Sequence, residues 1–573
     1  MTHTFLLPIE YVQHKTLNPL YDSDLELSSI KEHNKDGQSL FETIYEPSHA
    51  MDHLYAQKFM TTYTTDVSFL QDTQILIRKI VPKLTPVDIE LAHKAYSEFD
   101  AINNEDDFHS KYQYIDLEKI RSFNHNANLM QMLSLYNLTS PVITLITPII
   151  VLILPFFLIR WQGVSLSMTT YIEIVKRLVK NHALGRIAAT FNEVSWEKRV
   201  YLLATAGFYL FQIYQSALSC YKFAKNMKHI HYVLETYNSY VSQTCSHMES
   251  LLNSGTQELF TYKPFLDVLQ SNYNNLRHLS TQLERVKPLS ISVSKACQIG
   301  QVMKLYYGLK YDTTLNETLL YSFHFNCYVR RLVKLQELGL AKAKFSDKSI
   351  WKITNMIYPH SIRNSPVSNS VSLKRPILLT GPNASGKTTL LKSAFINTLM
   401  SQQHGLGPFK TFTFKPYDHF HCYLDIPDTS GRDSLFQAEA RRCLDIVKAV
   451  TNTTNDSNIE TRHFCILDEI YSGTNPTEAV ASAFAFIKTL SKQRNCSFIL
   501  TTHFYNLCEL GSLKKLNISN MQMGFRLETT GPTYTYKVKP GISNLKGGIA
   551  VLKDLDYPIS LIEDAKTILK EYV

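Results

Sequence analysis

The stretch LLTGPNASGKTTLLKSAF, Leu378 to Phe395, constrains this chain more than any other. An apolar strand, a glycine-rich turn and the head of a helix follow one another, with the spacing Gly381-x4-Gly386-Lys387-Thr388. Backbone N–H groups of such a turn and the dipole of the helix behind it converge on one point, and both favour a phosphate there. In that geometry Lys387 reaches the β- and γ-phosphates of a nucleoside triphosphate, and the Thr388 hydroxyl ligates Mg2+. Gly381, Pro382, Asn383, Ala384, Ser385, Gly386, Lys387, Thr388 and Thr389 are therefore the expected nucleotide-binding residues, with ATP and Mg2+ as cofactors.

Two further apolar strands supply the chemistry such a loop needs. HFCILDEI ends in Asp468-Glu469. An aspartate at the carboxyl end of a buried strand holds the Mg2+ shell, and the adjacent glutamate orients and polarises the attacking water. CSFILTTH delivers His503 to the same sheet edge, where an imidazole can sense the γ-phosphate. Lys387, Glu469 and His503 are thus the expected catalytic residues, Thr388 and Asp468 the metal ligands, and hydrolysis the expected reaction.

Three strand ends of this kind describe ATPases that sandwich each nucleotide between two subunits. Transporter-type members carry an LSGGQ signature, and this chain has none. In its place lies SGRDSLFQAEARR, Ser430 to Arg442, which resembles the S-x-F-x-x-E segment of the MutS family of DNA mismatch-repair ATPases at Ser434, Phe436 and Glu439. GPNASGKTT, DEIYSGTNPTEA and TTHF are similar to that family's phosphate loop and strand-end motifs. The tail YKVKPGISNLKGGIAVLKDLDYPISLIEDAKTIL follows its closing helix-turn-helix, and SNSVSL around Asn369 matches the segment that forms its adenine pocket. The resemblance covers about 351 to 573. It implies that Ser434 contacts the γ-phosphate held by a second MutS-like subunit, identical or not, and that double-stranded DNA is a partner.

The rest of the chain departs from the family. In DVSFLQDTQILIRKIV, residues Val67, Leu70, Ile75, Ile77, Ile80 and Val81 give one apolar side before Pro82 stops the run. From Asn126 to Ile159 there is no Asp, Glu, Lys or Arg, and Val142–Ile159 is long enough to cross a hydrocarbon core of roughly 30 Å. A second uncharged stretch, Val200–Tyr221, has the right length too, and Trp161 and Trp196 flank the loop between them. Membrane contact is expected through 142–159 and also through 200–221, although Pro148 and Pro155 argue against a regular helix in the first. The loop is a basic amphipathic helix candidate, YIEIVKRLVKNHALGRI, of a kind that stays on the cytoplasmic side. A two-span hairpin would put that loop and the nucleotide-binding domain on opposite sides, so one expectation has to give way, for instance through a segment that re-enters. The family's mismatch-reading Phe-x-Glu occurs only as Phe191-Asn192-Glu193, inside this loop, and is read as coincidence. Too little chain precedes the lever-like helices for a separate reading domain.

The expected fold class is α/β: a P-loop, ABC-type ATPase domain at the C-terminus, preceded by a mainly α-helical lever-like region with an inserted apolar hairpin. The expected segments are 1–125, helical, the start of the lever; 126–225, the apolar insert; 226–350, helical lever and connector; and 351–573, the MutS-like ATPase domain. Nine singly scattered cysteines and no secretory-signal pattern predict a reducing, intracellular setting, with the ATPase on the cytosolic or nuclear side. A net charge of +9 tolerates a polyanionic partner without demanding one. Two functions follow: a dimeric DNA-associated repair ATPase with mismatch reading in doubt, or a membrane-tethered mechanical ATPase using the same engine.

Overall fold

The computed structural model describes residues 5–30, 37–84, 87–163, 167–181, 195–286, 298–364, 366–424, 434–452, 461–509, 516–528, 531–543, 552 and 557–571. Phe191-Asn192-Glu193, and the tail matches at Gly548, Ala550 and Val551, lie outside them. Two compact units emerge, each assembled from three pieces of chain: Met1–His3, Val87–Ser246 and Asn272–Phe323 in the first, Thr4–Pro86, His247–Ser271 and His324–Val573 in the second. The four expected segments are contiguous in sequence. The units are not, because helices pair with helices far along the chain.

The longer helices are α1 (Val67–Ile75), α2 (Ile89–Asn103), α3 (Ala127–Trp161), α4 (Met168–Asn181), α5 (Trp196–Asn253), α6 (Lys263–Glu284), α7 (Ile299–Tyr311), α8 (Thr313–Glu337), α9 (Lys387–Gln403), α10 (Leu435–Asn452), α11 (Pro476–Ser491) and α12 (Ile559–Glu571). In the first unit, α7 starts against the first turn of α3. The Gly300 N–H donates to Gln131 Oε1 at 2.8 Å, and a Cβ on Gly300 would collide with the Ala127 carbonyl and the Gln131 backbone, so only glycine fits. Stacked rings of Phe108, Tyr114 and Tyr306 fill the core beside it.

Helix α3 corrects one expectation, because it runs unbroken through Pro148 and Pro155. Proline at 148 removes the N–H that would bond the Thr144 carbonyl, and the Tyr209 hydroxyl of α5 donates to that carbonyl at 3.1 Å instead. Thr144 Oγ1 and Ser216 Oγ lie 3.3 Å apart, and Cys220 Sγ reaches the Leu138 carbonyl, so the two helices meet along a polar seam. Among the described residues one helix is long and apolar enough to cross a membrane, Ala127–Thr147, with mean hydropathy 1.3 and 11% of it buried. The stretch 200–221 is not a second; it forms part of α5, and Gln212 and Gln215 dilute it.

In the second unit the run after Val67 stays helical through Lys83: α1 passes into a π turn at Leu76–Ile80 and a 3-10 turn containing Pro82. Strands β1 (His14–Thr16) and β2 (Thr62–Thr64) pair alone. Strands β3 (Ala341–Phe345), β4 (Trp351–Met356), β5 (Asn369–Ser372), β7 (Leu406–Gly407) and β8 (Thr411–Phe414) make a mixed sheet ordered β5-β4-β8-β3-β7. Strands β6 (Ile377–Thr380), β9 (His419–Tyr423), β10 (His463–Asp468), β11 (Cys496–Thr502), β12 (Ser519–Glu528) and β13 (Gly531–Pro540) make the other, ordered β13-β12-β6-β11-β10-β9 and parallel except for the edge strand β13. Strand β6 is buried throughout and β10 and β11 nearly so, as parallel strands covered on both faces must be.

Helix α9 is buried along most of its length and touches β10 and β11 of one sheet and β4 and β7 of the other. Several of its polar residues are anchored to the surrounding strands and loops. Thr398 accepts the Trp351 indole N–H at 3.1 Å, Asn397 donates to the Ile357 carbonyl at 2.9 Å, and Gln402 bonds both N–H and C=O of Tyr417. That anchoring fixes the helix whose first residue is Lys387.

Candidate functional site

The turn between β6 and α9 closes on itself. Ala384 and Gly386 take positive φ, +59° and +92°, and the Ser385 hydroxyl donates to the Pro382 carbonyl at 2.7 Å. A Cβ on Gly386 would be strained by that φ and would press on the Tyr536 ring at 3.1 Å. Gly386 is the N-cap of α9, so the free N–H groups of the first helical turn open at the mouth of the loop.

Lys387 is 5% exposed; its Nζ donates to the Gly381 and Pro382 carbonyls at 3.0 and 3.2 Å and pairs with Glu469 Oε1 at 3.2 Å. Glu469 leaves the end of β10 with φ +50°, and its N–H is held by Thr501 Oγ1 at 3.1 Å. His503 Nε2 stands 2.6 Å from the same Oε1. Burial pushes the Glu469 carboxyl up, but the hydrogen bond from His503 and the charges of His503 and Lys387 outweigh it and hold it below its ordinary value. Asp468 accepts the Thr388 hydroxyl on Oδ2 at 2.6 Å and the Thr501 hydroxyl on Oδ1. Thr388 and Asp468 thus offer two hard oxygens side by side at the head of α9, a donor set that fits Mg2+, which takes few protein ligands. Among the described residues no group of three His, Cys, Asp or Glu side chains could hold a metal.

Lys387, Thr388 and Glu469 line a cleft of about 640 Å3, and Asp468 and His503 connect to it through their contacts with Thr388 and Glu469. It is lined by Asn383, Ala384, Gly386 to Thr389 and Glu469, and by Met356, Tyr358, Pro366, Val367, Asn369 and Tyr536, whose ring lies against Gly386. Asn369 also donates to the Tyr536 carbonyl at 2.9 Å and accepts the Val538 N–H at 2.8 Å, tying β5 to β13. Of the expected residues, Lys387, Thr388, Asp468, Glu469 and His503 come together. Ser434 does not join them: it is exposed and caps α10, accepting the Gln437 N–H at 3.3 Å. Sequence reading missed Thr501, which sits in the TTHF match and carried its own signal, Tyr536, which opens the quoted tail, and Tyr358, which comes from a segment with no local pattern.

Fold and cluster define a class: a mixed α/β domain in which a glycine-rich strand-loop-helix meets acidic and imidazole side chains at the carboxyl edge of parallel strands. Comparison with known proteins narrows the class, since residues 377–573 match the family model described as MutS domain V. The chain is 28% identical over 308 residues to an endonuclease MutS2 of Fusobacterium nucleatum, covering 52% of this chain and 36% of that protein. It is 28% identical over 246 residues to a DNA mismatch repair protein MutS of Staphylococcus epidermidis, covering 41% and 27%. An endonuclease MutS2 of Clostridium perfringens is 26% identical over 236 residues, covering 41% and 29%. The chain therefore spans about a third of the length of the curated relatives it matches.

Proposed function

We propose that this chain is a Mg2+-dependent, MutS-like ATPase that acts as a dimer on double-stranded DNA. The contact cluster of Lys387, Thr388, Asp468, Glu469 and His503, three of which line one cleft, supports this reading most directly. The loop amides and Lys387 bind and orient the phosphates; Asn369, Tyr358 and Tyr536 line the end left for the base. Glu469, kept ionised by its neighbours, orients the water and takes its proton, and His503 fixes the carboxylate that does so. Mg2+, held by Thr388 and Asp468, would neutralise charge on the phosphates. Ser434, exposed and outside its own cleft, would serve a partner's. DNA enters by similarity to relatives described as mismatch repair proteins.

Lys387→Ala should abolish turnover by removing the phosphate clamp, whereas Glu469→Ala should still bind ATP and stall with it, because the binding groups remain. Equal loss of nucleotide affinity in both variants, measured by equilibrium titration, contradicts that division of roles. Mixing Ser434→Ala with Lys387→Ala subunits leaves one composite site free of both defects. No recovery of activity in the mixture would end the shared-site arrangement.

A membrane-tethered version of the same engine is favoured by one observation. Helix α3 exposes Val142, Leu145, Phe157 and Trp161, and α5 exposes Trp196, Phe208, Phe211 and Tyr214, with Trp161 87% and Phe208 77% exposed. Apolar side chains ending in tryptophans next to Arg160 and Arg199 match the interior and interface of a bilayer. Carbonate-washed membranes should retain the protein in that case; full release together with tight duplex binding would leave only the DNA reading.

A further inference from the structure

We propose that the outward face of the sheet β5-β4-β8-β3 is a docking surface for the sugar-phosphate backbone of duplex nucleic acid. The inward residues of these strands, Ala343, Trp351, Ile353, Val371, Phe412 and Phe414, are buried. The alternate residues face solvent and are of two kinds only. One row across the sheet reads Ser372, Lys352, Thr413, Lys344, in direct register. The next joins Thr354 to Thr411, whose hydroxyls lie 2.6 Å apart, with Lys342 one residue before the Ala343–Phe412 pair. Neither row contains a carboxylate, and no ion pair among the described residues engages Lys342, Lys344 or Lys352.

Such a face stores uncompensated charge. Neighbouring strands stand about 4.8 Å apart and alternate residues about 6.7 Å along a strand, so Lys344 lies within roughly one Debye length, about 8–10 Å, of both Lys342 and Lys352 and couples the three charges. Arg78 and Lys79 approach the same corner: after partial burial, their charges are what lower the Lys342 pKa. Cations interleaved with hydroxyl donors are the side chains that meet phosphate oxygens in nucleic-acid complexes. A lipid surface would call for aromatic or large apolar anchors beside the lysines, and neither row has one. The inference rests on the DNA half of the proposed function and not on its ATPase half, since none of these residues lines the nucleotide cleft.

The test uses the full chain and a fluorescent duplex DNA of mixed sequence, titrated by anisotropy over graded potassium chloride without nucleotide. The variant Lys342→Gln/Lys344→Gln/Lys352→Gln should bind about tenfold or more weakly at low salt, and its slope of log affinity against log salt should be shallower by about 2–3. Thr413→Glu, a single change at a half-buried position of the same row, should weaken binding as well, which keeps the test informative if the triple variant melts early. If ATP turnover is absent from the parent, the ATPase reading falls while this titration still decides the face. Parental affinity and slope in both surface variants overturn the proposal. So does loss of binding to phosphatidylserine vesicles with duplex binding intact, which would make the face a lipid contact.

Discussion

Glu469 shows how far one side chain depends on its surroundings. It leaves its strand in a left-handed conformation, where Thr501 holds its N–H, and its carboxylate is shared between Lys387 and His503. Asp468-Glu469 at a strand end was legible because both residues sit in one short string. Tyr536 was not, because it reaches Gly386 across some 150 residues of chain, an association that only sheet order creates. A depressed Glu469 pKa has a kinetic consequence. A carboxylate that must be ionised to orient water fails when it is protonated, so the acid limb of kcat/KM should lie below the ordinary glutamate value of about 4.3. His503→Ala removes the hydrogen bond and charge that favour the ionised form, so its acid limb should move to higher pH. A limb that stays in place in the pH profile of that variant would detach His503 from Glu469.

At the scale of elements, α10 and the turn after β10 behave as one piece. Glu439, 3% exposed, accepts the Ser472 N–H at 3.1 Å and its hydroxyl at 2.8 Å on one oxygen, and the Gly473 N–H at 3.1 Å on the other. Phe436 lies 5.9 Å from the Tyr471 ring, and a Cβ on Gly473 would run into Leu435 at 2.8 Å. Thus the helix that begins at Ser434 is fastened to the turn that carries Glu469. The string S-x-F-x-x-E showed these residues but not their partners, since the helix and the turn are set side by side only by the packing of the whole domain. Glu439→Ala removes hydrogen bonds to a charged acceptor, at a cost of about 1.5–3 kcal/mol in urea denaturation. It should also lower kcat more than it raises KM, because it frees the turn bearing Glu469 and leaves the phosphate loop intact. Glu439→Gln, which keeps one acceptor, should recover part of both; a variant with lowered stability but parental kcat would reduce Glu439 to a packing role. Helix α3 teaches the converse about reading elements from strings. Two prolines are a sound reason to expect a break, and at Pro148 it is overruled by a tyrosine hydroxyl 65 positions away from the carbonyl it rescues.

For the molecule as a whole, net charge was a poor guide, because +9 says nothing of where the charges fall. Alternation along strands β3 and β4 gathers lysines on one sheet face, and burial in the same unit collects histidines in its interior. His404, His421, His463 and His324 are all buried there. Burial, reinforced at His421 by the neighbouring imidazoles of His463 and His419 and the Arg442 guanidinium, pushes their pKa values down to about 3, 3, 4 and 4. Unfolded histidine titrates near 6.5, so the unfolded chain takes up these protons first and the folded one only near pH 4 and below. Stability is therefore complete above about pH 7, declines as pH falls from about 6.5, and stops declining on this account only at the folded values. Each histidine contributes up to about 1.4 kcal/mol per pH unit within that window. The urea midpoint should fall steadily between pH 7 and pH 4.5, and His404→Gln, which fills the site without titrating, should flatten the slope by up to one proton. A midpoint that holds constant over that range would mean that these imidazoles are hydrated or charged in the folded protein, and the packing of His421 against His463, with 2.9 Å between ring nitrogens, would then have to be abandoned.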